Sequence, residues 1–324
     1  MNINLDRWME ALPGDISVSA VSIPGTHNSA SASIPLGLVC RCQDTTIQKQ
    51  LEFGVRMLDI RLELCPKGFK AVHSTVDCRQ SRFGGRLYFD ETFSSIKSFL
   101  RENPSESVFM LLSEDDKSDP PLPFWDTFYH KYIMPFKDVW FCENRIPLLS
   151  ECRGRIVLMR RAPLALSAPP SPFTSPASSA PSSPPAPPSP TAAVYDDKNT
   201  GLNLESWGKM GCKKVHSPVF LDITSVTNGS VLDTAKIQDR YTHSPKSKWH
   251  NVISPMLDSA GSFGGALTLN YMSTAGGFFS PYFNARYINS RFSRRTLNKQ
   301  NFYGWFVFDF ACADLCKKII LLNF

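Results

Sequence analysis

Five side chains in this sequence are of the types needed for proton transfer beside an anionic centre: His27, Asp59, Arg61, His73 and Asp309. One imidazole can take a proton from an attacking hydroxyl while a second returns one to the leaving oxygen. A fixed guanidinium can offset charge on phosphoryl oxygens. Each histidine taken alone is more often structural, but Arg61 between them in sequence favours a joint role. Asp59 and Arg61 stand two apart in the alternating run 55–64. Side chains two apart on a strand share a face, so the pair reads as a structural ion pair or as half of a site.

The elements that must position these groups can be read from pattern. His27 follows the break Pro24-Gly25, with a strand expected over Ile16, Val18 and Ala20 leading into it. A side chain just past a tight turn sits at the mouth of a fold. Further strands are expected over 55–64, 70–73, 107–112, 155–159, 219–223, 266–271 and 305–310, ending near His73, Asp309 and their neighbours. Helical spacing marks 5–12, 44–53, 93–100, 125–132, 249–257 and 315–322. Strands and helices alternate without an internal repeat. That pattern predicts an α/β fold, a single distorted TIM (β/α) barrel with site residues at the C-terminal ends of its strands.

The chain has 324 residues, 42% hydrophobic, enough for a sizeable core. Its net charge of +6 is too small to argue for nucleic acid and suits an anionic surface or substrate. Neither a signal peptide nor an apolar run long enough to span a membrane is evident. Nine cysteines without a Cys-x-x-Cys pair favour reduced thiols, hence a cytoplasmic or peripheral-membrane protein, with secretion still open if a leader is missing. Between 163 and 190, 11 of 28 positions are proline and eight are serine. Such a stretch cannot bury a core. The expected organisation is a first barrel segment at 5–162, a disordered Pro/Ser-rich insertion at 163–200 and a second barrel segment at 201–324. A ligand for proline-binding modules is the less favoured reading of the insertion. Asn228-Gly229-Ser230 fits a glycosylation sequon and carries little weight without a leader.

Several motifs occur in one order: Ile23-Pro24-Gly25-Thr26-His27-Asn28-Ser29, Gly54-Val55-Arg56-Met57-Leu58-Asp59-Ile60-Arg61, the strand ending in His73, and Phe99-Leu100-Arg101-Glu102-Asn103-Pro104-Ser105-Glu106. They continue with Arg153-Gly154-Arg155 through Arg161, Gln238-Asp239-Arg240-Tyr241, Ser280-Pro281-Tyr282 with Tyr287-Ile288-Asn289, and Gly304-Trp305 through Asp309. Together they resemble the phosphatidylinositol-specific phospholipases C, in particular the bacterial type, over nearly the whole chain outside the insertion.

The resemblance implies cleavage of phosphatidylinositol to diacylglycerol and inositol 1,2-cyclic phosphate. By position His27 matches the general base, Asp309 the carboxylate that orients it, His73 the general acid, Arg61 the phosphate-stabilising arginine and Asp59 the acid beside it. Arg161, Asp239 and Tyr241 match the inositol pocket. Leu36 and Leu38, with Phe278 and Phe279, match the membrane-contacting rim, although the two phenylalanines could instead be core. Calcium-dependent relatives have an acidic residue where this chain has Arg61, so no metal and no cofactor are expected. The acidic run Glu114-Asp115-Asp116 reads as a solvated face. The chain departs from the bacterial pattern at Asn28, where those enzymes have an aspartate, and at Ser113, where they have a lysine that contacts the headgroup; both positions are expected at the substrate. The expected partner is phosphatidylinositol in a membrane, met by a monomer. Two alternatives stay open: a phosphodiesterase for another glycerophospholipid or a glycosyl-phosphatidylinositol, and a catalytically weak headgroup-binding protein.

Overall fold

The computed structural model describes residues 3–115, 123–162, 164, 195–207, 221–227, 230–259, 266–277 and 280–324. The expectations for most of the insertion, for the sequon, for Asp116 and for Phe278 and Phe279 fall outside these residues.

Among the described residues twelve strands form the sheet: β1 (Pro24–Thr26), β2 (Met57–Cys65), β3 (Gly68–His73), β4 (Val76–Asp77), β5 (Val108–Glu114), β6 (Trp140–Phe141), β7 (Ile156–Arg160), β8 (Leu202–Asn203), β9 (Leu221–Thr227), β10 (Ser230–Gln238), β11 (Leu267–Tyr271) and β12 (Trp305–Phe308). The path β6-β7-β5-β2-β1-β12-β11-β10 is parallel throughout, and β9 adds to its end as an antiparallel edge. Eight parallel strands with intervening helices make a (β/α) barrel. Among the described residues β6 does not pair with β9 or β10, so the barrel is open on that side. Strands from both sides of the Pro/Ser-rich stretch share this one sheet.

The parallel strands read as nearly unbroken apolar runs because both of their faces are covered. β5 and β7 are buried almost throughout. Gly25 in β1 lies so close to β2 that a Cβ there would sit 2.9 Å from Cβ of Met57. Outside the sheet, Phe306 and Phe308 pack with Ile288, Phe292, Leu315 and Ile319 of the helices Pro281–Arg294 and Ala313–Ile320. At the N-terminal end of the strands, Arg56 and Glu106 form an ion pair with no exposed surface, 2.8 Å apart. Arg56 also donates to the carbonyls of Leu5, Asp6, Leu51 and Val55, which ties the first helical segment beneath the barrel.

One sequence expectation is corrected. Residues 16–20 do not form a strand: Val18–Ala20 is a 3-10 turn and the strand is Pro24–Thr26. The oxygen of Ser17 accepts from the Ser19 amide and shares a 2.8 Å hydrogen bond with its hydroxyl, local bonds that compete with a sheet ladder. The helix expected at 249–257 is present, as a π-turn, Trp249–Ile253, that runs directly into an α-turn, Ser254–Asp258. Pro255 has no amide proton to give, and it stands in the first turn of the second piece, where none is needed.

Candidate active site

Register brings the distant residues together. Thr26 is level with Phe308 on one side and Leu58 on the other, so the next positions, His27, Asp309 and Asp59, emerge at one height. Asp59 and Arg61 point the same way from β2, and Arg61 lies beside Ser113 of β5. β2 runs on past the barrel rim and turns back as β3. Leu62 pairs with Ala71, which returns His73 to the level of Ile60, beside Arg61. The C-terminal ends of β7 and β10 deliver Arg161, Asp239 and Tyr241.

These residues line one cleft of about 710 Å³: His27, Arg61, His73, Ser113, Arg161, Asp239, Tyr241 and Asp309 all face it. Asn28 and Asp59 lie beneath it, each 1% exposed. Thus the five candidate catalytic groups converge. Leu36 and Leu38 stand out into solvent on the short turn Gly37–Cys40, whose Val39 borders the cleft.

The hydrogen bonds fix the tautomer of His27. A guanidinium only donates, and Arg61 Nη2 lies 2.9 Å from His27 Nε2. That nitrogen therefore accepts, and Nδ1–H donates to Asp309 Oδ1 at 2.7 Å. Gln43 braces the same point, its Nε2 donating to the carbonyls of His27 and Phe308 while its Oε1 accepts from Ala311 N. Arg61 also contacts Asp59 Oδ2 at 3.2 Å, and the same oxygen accepts from Asn28 N. Burial pushes the Asp59 carboxyl up, but Arg61 and then His27 outweigh it and hold it below its ordinary value. Burial likewise works against the Arg61 charge, and Asp59 more than restores it. The pair is thus a fixed cation with its counter-charge behind it.

The ring of His73 faces that of His27 edge-on, with centroids 6.3 Å apart. Its Nδ1–H donates to the carbonyl of Cys40 at 2.6 Å. Burial lowers its pKa most, His27 lowers it further, and the Cys40 carbonyl opposes them. Asn28 has a left-handed backbone, φ 49°, which asparagine tolerates. Neither atom of its side-chain amide has a protein partner among the described residues. Asp59 Oδ1, Arg61 Nε and Ser113 Oγ are buried and unpartnered in the same way. This group of open donors and acceptors is what a polar ligand in the cleft could satisfy.

Several contributors escaped the sequence reading. Tyr271 ends β11 with its ring 5.9 Å from that of His27, and the guanidinium of Arg161 lies over Trp207 at 4.3 Å. Both are aromatic residues at strand ends or in loops, and spacing alone does not single them out. Cys42 lines the cleft; burial, then Asp309, push its thiol well above the ordinary range. His27, Cys42 and Asp309 offer donor atoms within 4.8 Å of one another, the donor types that a zinc ion takes. No comparable cage of oxygen ligands for calcium occurs among the described residues. Lys248 is wholly buried, and its amine donates to Gln238 Oε1 and the carbonyl of Arg240, bracketing Asp239. Burial brings its pKa down to about 7.

Residues 15–130 match the family model described as PI-PLC X 1. Two curated relatives, each named 1-phosphatidylinositol phosphodiesterase, are similar over part of the chain. The one from Listeria monocytogenes is 28% identical over 169 residues, 49% of this chain and 49% of the relative. The one from Staphylococcus aureus is 27% identical over 164 residues, 48% and 51%. The chain thus spans about half the length of the curated relatives it matches. Among solved structures, a mutant phosphatidylinositol-specific phospholipase C from Staphylococcus aureus superposes with a TM-score of 0.74 at 20% identity, covering 99% of this chain and 98% of that one. The phospholipase C from Listeria monocytogenes gives 0.68 at 22%, covering 99% and 100%. At such identities the likeness is one of fold.

Proposed function

We propose, from the premise that residues 15–130 belong to the PI-PLC X family, that this protein is a phosphodiesterase cleaving phosphatidylinositol into diacylglycerol and inositol 1,2-cyclic phosphate. One observation carries the reading: the His27 ring, oriented by Asp309 on one nitrogen, meets Arg61 on the other, with His73 facing it across the same cleft. In the proposed reaction, the substrate phosphate draws the Arg61 guanidinium off His27 Nε2. The freed nitrogen takes the proton of the inositol 2-hydroxyl, whose oxygen attacks phosphorus. His73 gives its proton to the diacylglycerol oxygen as the P–O bond breaks. Asp309 holds the imidazolium that forms at His27, and Arg61 offsets charge on the phosphoryl oxygens. The fixed cation supplies the electrostatic part of the reaction without a metal ion.

Arg161, stacked on Trp207, and Asp239 and Tyr241 line the same cleft, which supports reading them as the groups that meet the inositol ring. Asn28 and Ser113, with open polar atoms below and beside Arg61, complete the polar floor. Leu36 and Leu38 are each about two-thirds exposed. Together with Tyr282 and Phe283, which are also exposed, they form an apolar rim suited to a lipid surface. Tyr282 and Phe283 are additions to the sequence reading.

Ser113 supports a second reading, in which a glycosyl-phosphatidylinositol or another glycerophospholipid is the substrate, because a hydroxyl rather than a cation borders the headgroup there. Purified protein incubated with phosphatidylinositol vesicles and EDTA tests the first. Release of diacylglycerol and cyclic inositol phosphate, lost in His27→Ala and His73→Ala, is expected. Absence of turnover, with His27→Ala binding vesicles as the wild type does, would leave a headgroup-binding protein instead.

A further inference from the structure

The proton transfers proposed above give no task to the thiol of Cys42. A buried free cysteine commonly serves as a small apolar filler. Cys42 is 1% exposed, yet it lines the cleft beside His27 and Asp309. One donor atom from each of these three residues lies within 4.8 Å of the other two. The set is a sulfur, a ring nitrogen and a carboxylate oxygen, which zinc binds at about 2.3, 2.0–2.1 and 2.0–2.2 Å. Around one tetrahedral ion such donors stand about 3.4–3.6 Å apart. His27 Nδ1 and Asp309 Oδ1, 2.7 Å apart, would open slightly, and the thiol would close on them.

Main-chain bonds hold the three donors together without an ion. Cys42 N donates to Ser31 Oγ at 3.1 Å. Phe310 N donates to the Cys42 carbonyl at 2.7 Å, which ties the residue after Asp309 to Cys42. Gln43, next in the chain, donates to the carbonyls of His27 and Phe308. Asn289 Nδ2 donates to the carbonyl of Asp309 at 3.0 Å. Outer supports of this kind orient metal ligands. The charges also suit a dication. A coordinated thiol is a thiolate, so Cys42 and Asp309 bring two negative charges, while Asp59 at 3.2 Å balances Arg61.

We propose that His27, Cys42 and Asp309 form a binding site for one thiophilic divalent cation of the zinc class, and that the bound ion holds the cleft inactive. Water takes the fourth position, and the thiol proton goes to the buffer. Whichever ring nitrogen of His27 takes the ion, Nε2 stops accepting protons. An ion on Nε2 uses its lone pair directly. An ion on Nδ1 leaves the ring proton on Nε2, and Arg61, whose Nη2 lies 2.9 Å away, then faces a donor. The inhibition rests on the phosphodiesterase reading; the binding does not.

The test uses the full chain, stripped with EDTA and desalted, with Co²⁺ and Zn²⁺ as probes. One equivalent of Co²⁺ should give the near-ultraviolet absorption of a thiolate–cobalt bond, and Zn²⁺ should displace it. In wild-type protein with labelled histidine, one equivalent of Zn²⁺ should shift the ring nitrogen resonances of His27 and leave those of His130 in place. Cys42→Ser should lose the absorption and bind zinc about tenfold or more weakly. Cys312→Ser, which removes an exposed thiol, should keep both. Zinc should stop cleavage of phosphatidylinositol as the site fills, EDTA should restore it, and Cys42→Ser should need about tenfold more zinc. Lack of the thiolate absorption in the wild type, its persistence in Cys42→Ser, or unmoved His27 resonances would overturn the site. Full turnover by zinc-loaded protein would overturn the inhibition. If the metal-free protein cleaves no phosphatidylinositol while the spectra change as expected, the phosphodiesterase reading fails and the metal site stands.

Discussion

His27 Nδ1 and Asp309 Oδ1 are 2.7 Å apart although 282 residues separate them in the chain. Parallel register of β1 with β12 creates this contact, since Thr26 opposite Phe308 leaves the next residue of each strand side by side. The carboxylate can only accept, so it selects the tautomer that leaves Nε2 basic. Asp309→Asn keeps the shape but offers an amide that can donate and favours the other tautomer. Its kcat should fall by about 10²-fold or more with an unchanged circular dichroism spectrum. A fall of less than a few-fold would remove Asp309 from the mechanism.

Arg61 touches both His27 and the buried carboxylate of Asp59. A lysine in its place keeps one charge but loses the planar fork that can reach two phosphoryl oxygens and Asp59 together. Arg61→Lys should lose about 10²–10³-fold in kcat/KM, and wild-type activity should be the same with EDTA as without it. Steady-state rates on phosphatidylinositol in mixed micelles check both expectations. Recovery of activity on adding calcium after EDTA would refute the fixed-cation role.

The strand-end residues were legible in the sequence because β/α alternation and a short list of charged residues inside apolar runs mark them directly. Asp309, for example, follows Trp305-Phe306-Val307-Phe308. What stayed hidden depends on three-dimensional closure. That the Asn28 side chain has no partner among the described residues, while a main-chain carbonyl holds His73, is a matter of where the turn 36–40 lies. A backbone group leaves no trace in residue type. Gln43, bonded to two carbonyls at the β1–β12 seam, looks in sequence like an ordinary polar residue. The absent strand at 16–20 reflects serine hydroxyls turning the chain locally, which period-2 spacing does not register.

The pH dependence follows from His73. Its pKa lies below the ordinary 6.5; burial is the largest cause, the facing His27 adds to it and so does Arg61, while the Cys40 carbonyl and Asp309 resist. In the proposed reaction His73 must be protonated to act, so this shift would move the alkaline limb of the free enzyme's rate profile below 6.5. Beyond that limb kcat/KM should drop about tenfold per pH unit. Because the folded value is depressed, unfolding takes up a proton between the two pKa values. This group's contribution to stability is present above 6.5 and is lost as pH falls through the folded value. A profile whose alkaline limb stays above 6.5 would contradict the assignment, and His73→Ala should abolish the limb along with most of the rate.

Stability is anchored at the other end of the barrel. Arg56 and Glu106 are fully buried, and the carboxylate also accepts from the amide of Met9. Glu106→Ala leaves a guanidinium with neither solvent nor counter-charge, although its four carbonyl contacts remain. Breaking such a pair costs about 3–5 kcal/mol, readable as a lower urea midpoint with little change in slope. Replacing both partners, as in Arg56→Met with Glu106→Leu, should cost less than the sum of the two single changes, since no stranded charge is left. The pair lies below the strands and the cleft lies above them. The folded fraction of each variant should therefore keep near-wild-type kcat at low temperature. A large loss of kcat without loss of stability would mean that this pair acts on the site and not only on the fold.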